Sequence, residues 1–317
     1  MRALCACGGQ YFCGEYYVDA QQTASYPRAC QVIARISPDT HQALKISVTI
    51  ITFNEADNVR AACESVAWAD EIVVVDSEST DATREIAADC GARVITKAWA
   101  GFAAQKQFAA EAAAHEWVFS LDADERVSPA LRASVEDLLY TPDAQLADGY
   151  RVARRSFYMG RWIRGGGWYP DHQLRLYRRA RGRWRGAHVH ESVKMDEGAR
   201  VSTLAGDLLH YSVRDASHHH LMIGERYAPL AARQMFEQGR RSSPLKLATA
   251  SPLAFFRSFV LKGGFRDGLA GYAIARFAAH HAFLKNLLLW EMQTAGEPKR
   301  APHGEKTADA AVKKRRA

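Results

Sequence analysis

Four acidic residues stand where side chains could do chemistry. Asp122, Asp124 and Glu125 fall within four positions of FSLDADE, and Asp76 closes EIVVVD. Acids this close repel one another, and ionising all of them is unfavourable without a positive partner. A divalent cation removes that penalty, and oxygen ligands completed by water and phosphate suit Mg²⁺ or Mn²⁺. Such an ion would neutralise charge on a departing diphosphate. Asp76, followed by Ser77-Glu78-Ser79-Thr80-Asp81, reads in two ways. Its carboxylate can accept from a base N–H or a ribose hydroxyl, or it can belong to the turn and cap chemistry of its neighbours.

The flanking pattern predicts the elements that hold these acids. ISVTIITF (46–53), EIVVVD (71–76), ARVIT (92–96) and EWVFSLD (116–122) are β-branched or apolar runs of strand length. Between them lie helical spacings over 55–69, after Ser79-Thr80 up to Gly91, and over 102–114. Ser128-Pro129 opens a further helix to about Tyr140. Continuous apolar strands alternating with helices predict an α/β fold with a mostly parallel central sheet flanked by helices. Ligands bind such sheets at the carboxyl ends of the strands, here Thr52 to Glu55, Asp76 to Thr80 and Leu121 to Glu125. Gly91 is the one glycine between Ile46 and Lys97, so the GxGxxG turn of a dinucleotide site is absent, as is a Walker A loop.

Composition excludes collagen-like, low-complexity and wholly disordered chains: 48% of the 317 residues are hydrophobic and 24% charged. Six Cys are too few for a disulfide scaffold, and with no visible secretory signal a reduced cytoplasmic protein is expected. Charge is uneven. Residues 1–150 carry 11 Lys and Arg against 22 Asp and Glu, whereas 151–185 carry 11 Arg and one acid, Asp171. The basic stretch, interleaved with Trp162, Trp168, Tyr169 and Trp184, points to an anionic partner such as a phosphorylated sugar, a lipid headgroup or nucleic acid. The expected organisation is an N-terminal extension (1–44), a nucleotide-binding half (45–150), an acceptor-binding and catalytic half (151–217), a helical C-terminal region (218–292) and a basic tail (293–317).

ISVTIITFNE, IVVVDSESTD and FSLDADE together resemble the family 2 glycosyltransferases, which have the GT-A nucleotide-sugar fold. GGWYPDHQLRLYRR, HVHE and GGFRDGLAGY extend the likeness to the branch that builds the lipopolysaccharide inner core, the heptose β-1,4-glucosyltransferase-like proteins. The resemblance implies that Thr52, Asn54, Glu55 and Asp76 contact the nucleotide, that Asp122 lies near the ribose, and that Asp124 binds the metal. It also implies that Lys106, otherwise a surface lysine on an Ala-rich helix, reaches the diphosphate. Inverting transfer needs a carboxylate to take the acceptor proton. The family places one shortly before an Arg, which Asp171 and Arg175 match, and Glu191 is the second candidate. His190 could complete the metal shell, since imidazole suits Mn²⁺, while His188 could equally be structural. Arg151, Arg154, Arg155, Arg161 and Arg164 can grip acceptor oxyanions bidentately, and Trp168 and Tyr169 offer flat faces to sugar rings.

The expected activity is an inverting, metal-dependent hexosyltransferase. It would carry glucose from UDP-glucose to an inner-core heptose of lipopolysaccharide, working peripherally on the cytoplasmic side of the inner membrane. Alternatives are a polyprenyl-phosphate or other cell-envelope glycan acceptor and, in another class, a nucleic-acid-binding module using the Arg-rich segment. GLAGYAIARFAAHHAFLKNLLLWEM holds too many polar groups for easy spanning. It reads either as an in-plane amphipathic helix or as a buried helix. His218-His219-His220 could be a metal tract or a polar helix start.

Overall fold

The computed structural model describes residues 44–186 and 191–294, together with two short strands, Ala6–Cys7 and Gln10–Tyr11, that pair antiparallel. Residues 1–43 and 44–317 are separate compact units.

In the larger unit the first half alternates as its apolar runs predict. β1 (Ile46–Thr52), α1 (Ala56–Ser65), β2 (Glu71–Asp76), α2 (Thr83–Asp89), β3 (Arg93–Thr96), α3 (Phe102–Ala112) and β4 (Trp117–Asp122) are followed by β5 (Glu125–Val127) and α4 (Pro129–Leu139). The second half adds β6 (Gly149–Tyr158), β7 (Arg161–Trp162), β8 (Asp171–Arg178), β9 (Gly182–Arg185), β10 (Ser192–Met195) and β11 (Val201–His210). Helices α5 (Ala216–Leu221), α6 (Ala228–Glu237), α7 (Pro244–Phe256) and α8 (Gly268–Thr294) complete it.

The main sheet runs β3-β2-β1-β4-β8-β6-β11-β5, with β7 on β6. Strands β3, β2, β1 and β4 are mutually parallel, and β8 joins β4 and β6 antiparallel. Residues in β1, β2 and β4 are buried on both faces, as a helix-covered parallel sheet requires. Val59, Ala62 and Cys63 of α1 pack into the same core as Ile46, Val48 and Phe119. Ser128 accepts from the Leu131 N–H and caps α4.

Sequence patterning foresaw none of the strands β5 to β11, and β11 is an interrupted one. Its pairing with β6 breaks between Thr203 and Asp207. Within the break Gly206 has φ +89°, and a Cβ there would lie 2.2 Å from the Leu131 nitrogen. The close approach lets Ser128 and Asp207 exchange hydrogen bonds, Ser128 Oγ accepting from the Asp207 N–H at 3.1 Å. Beyond the break His210 is placed opposite Glu125 of β5. Gly206→Ala is expected to lower unfolding free energy by about 2–4 kcal/mol in urea titration. An unchanged midpoint would mean that α4 can shift freely.

Candidate active site

The carboxyl ends of β1 and β2 are laced together. Asp76 is fully buried. Its carboxylate accepts from Thr52 Oγ1 at 2.8 Å, from the Ser79 N–H at 2.8 Å and from the Ser79 hydroxyl. Ser79 Oγ accepts from the Asn54 N–H at 2.8 Å, and Asn54 Oδ1 accepts from the Thr80 N–H at 2.8 Å. The Glu55 N–H donates to Thr83 Oγ1, and Glu55 Oε2 accepts from Asn58. Asn54 and Glu78 adopt positive φ, +52° and +61°, a conformation typical of shaped loops at strand ends. These bonds give Asp76 the turn-forming role, folding the loop at the end of β2.

At the exit of β4 the three acids part company. Asp122 Oδ1 lies 2.8 Å from Lys106 Nζ, and its Oδ2 lies 3.0 Å from Arg175 Nη2. Glu125, wholly buried, takes the same Arg175 nitrogen at 2.6 Å and has Arg154 Nη1 at 3.6 Å. Its other oxygen accepts from the Asp122 N–H. The compensation expected from a metal ion is therefore supplied to Asp122 and Glu125 by three cations of the chain itself. Burial alone would raise the Asp122 pKa. Lys106 and Arg175 outweigh it and hold the carboxyl well below the usual range. Burial likewise opposes the charge on Arg175, but Glu125 and Asp122 more than compensate and raise its pKa.

Lys106 is 4% exposed, which excludes the surface-lysine reading. Its ammonium lies between Asp122 and Glu191, 3.3 Å from the latter, and 4.8 Å from the Trp184 ring centroid. Trp184 is itself fixed by donating from Nε1 to Tyr177 Oη. These groups, with Arg154, Gln173 and Arg175, line a cavity of about 410 Å³. Asp171 is held by two members of that lining. Arg154 donates to Oδ2 from Nε at 3.0 Å and Nη2 at 2.6 Å, and Gln173 donates to Oδ1 at 2.7 Å. The Asp171 side chain keeps 35% exposure, against 17% for Glu191.

Asp124 is turned to a different partner, with Oδ2 lying 3.5 Å from His210 Nε2. The Tyr211 N–H donates to the Asp124 carbonyl, and His210 Nδ1 lies 3.4 Å from Ser156 Oγ. The Asp124 carboxylate is an oxygen ligand of the kind that Mg²⁺ or Mn²⁺ takes, and beside it stands an imidazole anchored through its other nitrogen. Among the described residues no third metal-type side chain joins them, which leaves coordination positions to water and phosphate. His190 and His188 lie outside the described residues. His210 escaped the sequence reading because its partner is 86 positions away; a lone His at a strand end carries no local signal.

The remaining basic and aromatic candidates scatter. Arg151 is exposed on β6. Arg155 lies over the Tyr169 ring and 3.7 Å from Asp207, to which Tyr169 donates from its hydroxyl. Arg161, at the start of β7, and Arg164, on the loop after it, are exposed, and Arg161 Nη1 donates to the Asp267 carbonyl. Trp168 packs against Tyr158 and His219. His219 is buried in that cluster, its pKa pushed down to about 4 by burial, and Asp215 caps the helix it sits on. The His tract is thus a capped helix start. Arg154 and Arg175 are drawn into the carboxylate cluster.

A Rossmann-like half that presents acids at its strand ends, extended by antiparallel strands bearing Arg and a further Asp, is the GT-A architecture of sugar-nucleotide transferases. The family model described as Glycosyl transferase family 2 matches residues 47–199. The lipopolysaccharide core biosynthesis glycosyltransferase LpsC of Rhizobium meliloti (strain 1021) is 36% identical over 254 residues, covering 76% of this chain and 90% of that protein. An uncharacterized glycosyltransferase of Rickettsia bellii (strain RML369-C) is 30% identical over 264 residues, covering 80% and 89%. This chain belongs to glycosyltransferase family 2. Among solved structures, S. aureus TarS 1-349 in complex with UDP-GlcNAc is similar at a TM-score of 0.40 and 15% identity, over 81% of this chain and 93% of that one.

The charge cluster yields a direct test. Arg175→Met strands Glu125 and Asp122 without their shared cation, which is expected to lower stability by about 3–5 kcal/mol. Adding Glu125→Gln should recover a substantial part of that loss. Additive losses in urea titration would show that the pair is not coupled.

Proposed function

We propose that this protein is an inverting, cation-assisted hexosyltransferase that moves glucose from UDP-glucose onto an inner-core heptose of lipopolysaccharide. It would work at the cytoplasmic face of the inner membrane, peripherally bound. The observation that carries this reading is one continuous set of ion pairs, Lys106–Asp122–Arg175–Glu125–Arg154–Asp171, four of whose members, Lys106, Asp122, Arg154 and Arg175, line one cavity. It links a donor-side lysine and aspartate to a partly exposed carboxylate suited to take a proton. The likeness to a lipopolysaccharide core transferase supports the acceptor class, and the exposed Arg151, Arg161 and Arg164 suit its anionic groups.

In this reading the loops after β1 and β2, set by Thr52, Asn54, Glu55 and Asp76, hold the nucleoside, and Asp122 faces the ribose. Lys106 keeps an ammonium beside the diphosphate. A Mg²⁺ or Mn²⁺ bound by Asp124 and His210, with His190 available to complete the shell, would neutralise charge on that diphosphate. Arg154 and Gln173 orient Asp171 so that a lone pair of Oδ1 meets the acceptor hydroxyl. As the hydroxyl oxygen bonds to the anomeric carbon, its proton passes to Asp171. The bond to the diphosphate oxygen breaks on the opposite face, and the configuration inverts. Glu191, bound to Lys106, helps to position the donor side. Most of the rate gain comes from alignment and fixed charge.

Asp171→Asn is expected to cut transfer to a heptose-terminated core by about 10²–10⁴-fold while UDP binding persists. Unchanged transfer would return the role of base to Glu191. Asp124→Ala should abolish the extra thermal stabilisation that Mn²⁺ adds to UDP, and a preserved increment would remove the metal assignment. Transfer to polyprenyl phosphate in place of the core would replace the acceptor.

A further inference from the structure

The sequence leaves α8 open as either an in-plane or a buried helix. The structure packs α8 against α6 and α7, with residues such as Ile274, Ala275, Ala279 and Leu289 buried. The exposed apolar surface lies on α7, the turns that follow and the start of α8. Of thirteen large hydrophobic residues exposed among the described residues, eight fall between Leu245 and Tyr272. Leu245 is 73% exposed, Leu261 68% and Leu269 72%, with Leu253, Phe256 and Phe265 between them. Leu245, Leu253, Phe256 and Val260 recur at spacings that keep them on one face of α7 and its π-helical extension, Arg257–Leu261. Scattered single apolar residues are ordinary on a protein surface, but a concentration of this kind marks an interaction site.

The charge on the same stretch selects the partner. Between Glu237 and Asp267 the chain carries six Lys and Arg and no acid. Arg240, Arg241, Lys246, Arg257, Lys262 and Arg266 are all exposed. Large apolar side chains set among unopposed cations suit the boundary between acyl chains and anionic headgroups. They suit a second copy of the same basic surface poorly, because like charges would face each other. No helix among the described residues is long and apolar enough to cross a membrane.

This face is bonded directly to the loop that leads into Asp171. Asp267, fully buried, accepts from the N–H groups of Arg164 and Gly165. The Gly166 N–H donates to the Lys262 carbonyl at 3.0 Å, and Ser258 Oγ donates to the Gly166 carbonyl at 2.9 Å. Gly271 abuts the same turn so closely that a Cβ would lie 1.8 Å from the Gly264 carbonyl oxygen. Four residues past Gly167 the chain reaches Asp171.

We propose that the surface formed by α7, the Arg257–Leu261 turn and the Gly264–Asp267 turn docks on an anionic lipid bilayer, seating the 164–167 loop, and with it Asp171, beside the membrane. The inference deepens the proposed function, since it rests on an acceptor anchored in lipid. It is tested by flotation of the full-length protein with phosphatidylglycerol-containing vesicles and with phosphatidylcholine vesicles. The wild type should float with the anionic vesicles. Leu253→Ser/Phe256→Ser/Leu261→Ser should reduce the bound fraction by about tenfold or more, and Lys246→Glu/Arg257→Glu should do so selectively for anionic vesicles. Thermal melting within a few degrees of wild type verifies the fold of each variant, and the charge variant carries the test if the apolar one is unstable. A wild type that stays in the aqueous layer, or variants that float as it does, would overturn the proposal. So would a wild-type dimer in sedimentation velocity that the apolar variant dissolves, since a second copy would then cover the face. Flotation needs neither sugar donor nor acceptor. Its failure therefore leaves the transfer reading standing, and failed transfer with intact flotation leaves the docking surface standing.

Discussion

Glu125 can be buried, and Asp122 held ionised beside it, because Arg175, Lys106 and Arg154 reach them from β8, α3 and β6. An isolated carboxylate taken out of water loses several kcal/mol of hydration, and two of them side by side add mutual repulsion. The strand order answers both problems. Placing β8 antiparallel against β4, and β6 against β8, carries two Arg to the mouth of β4. α3 packs over β1, β2 and β4 and delivers Lys106 to the same acids. The half that carries Asp122 and the half that carries Asp171 are thus joined by charge pairing as well as by the sheet ladder.

The pairing divides labour among neighbouring acids. Asp122 and Glu125 are committed to cations of the chain, while Asp124, two residues from Asp122, turns toward His210. The turn at Ala123-Asp124, between β4 and β5, interrupts the strand alternation and gives Asp124 different surroundings from Asp122 and Glu125. The helical layer follows the same logic. Asp267, the first acid after a long basic stretch, is spent on backbone N–H groups of the 164–167 loop, so the positive charge before it stays exposed.

The first half of the fold was legible because its signal is local. Strands at Ile46, Glu71, Arg93 and Trp117 follow from short apolar runs, and α4 follows from Ser128-Pro129. The DxD acids were legible from their position at a strand exit. Their partners were not: Arg175 lies 53 residues from Asp122, and Arg154 and Asp171 are linked only by strand pairing. Eleven Arg in one segment look alike in sequence, and the register of β6 and β8 decides which two enter the cluster. Lys106 stood out only through the family resemblance, because an Ala-rich helix gives no strong apolar face. β11, interrupted at Gly206, shows no regular alternation, so His210 stayed hidden with it. The last helix was ambiguous because its apolar residues run around its whole circumference, which suits burial between helices as well as contact with lipid.

The central claim is that the chain's own cations, and no bound ion, keep Asp122 charged. It is tested most directly by the carboxyl ¹³C resonance of Asp122, identified by its loss in Asp122→Asn and followed from about pH 7 to about pH 4, with and without Mg²⁺. A carboxyl whose folded pKa is depressed stays ionised above its unfolded value of about 3.9 and protonates only as the pH falls further. The resonance should therefore hold its ionised position throughout the range even without Mg²⁺. Substantial protonation by about pH 4 in the absence of Mg²⁺, as for an ordinary Asp, would contradict the account.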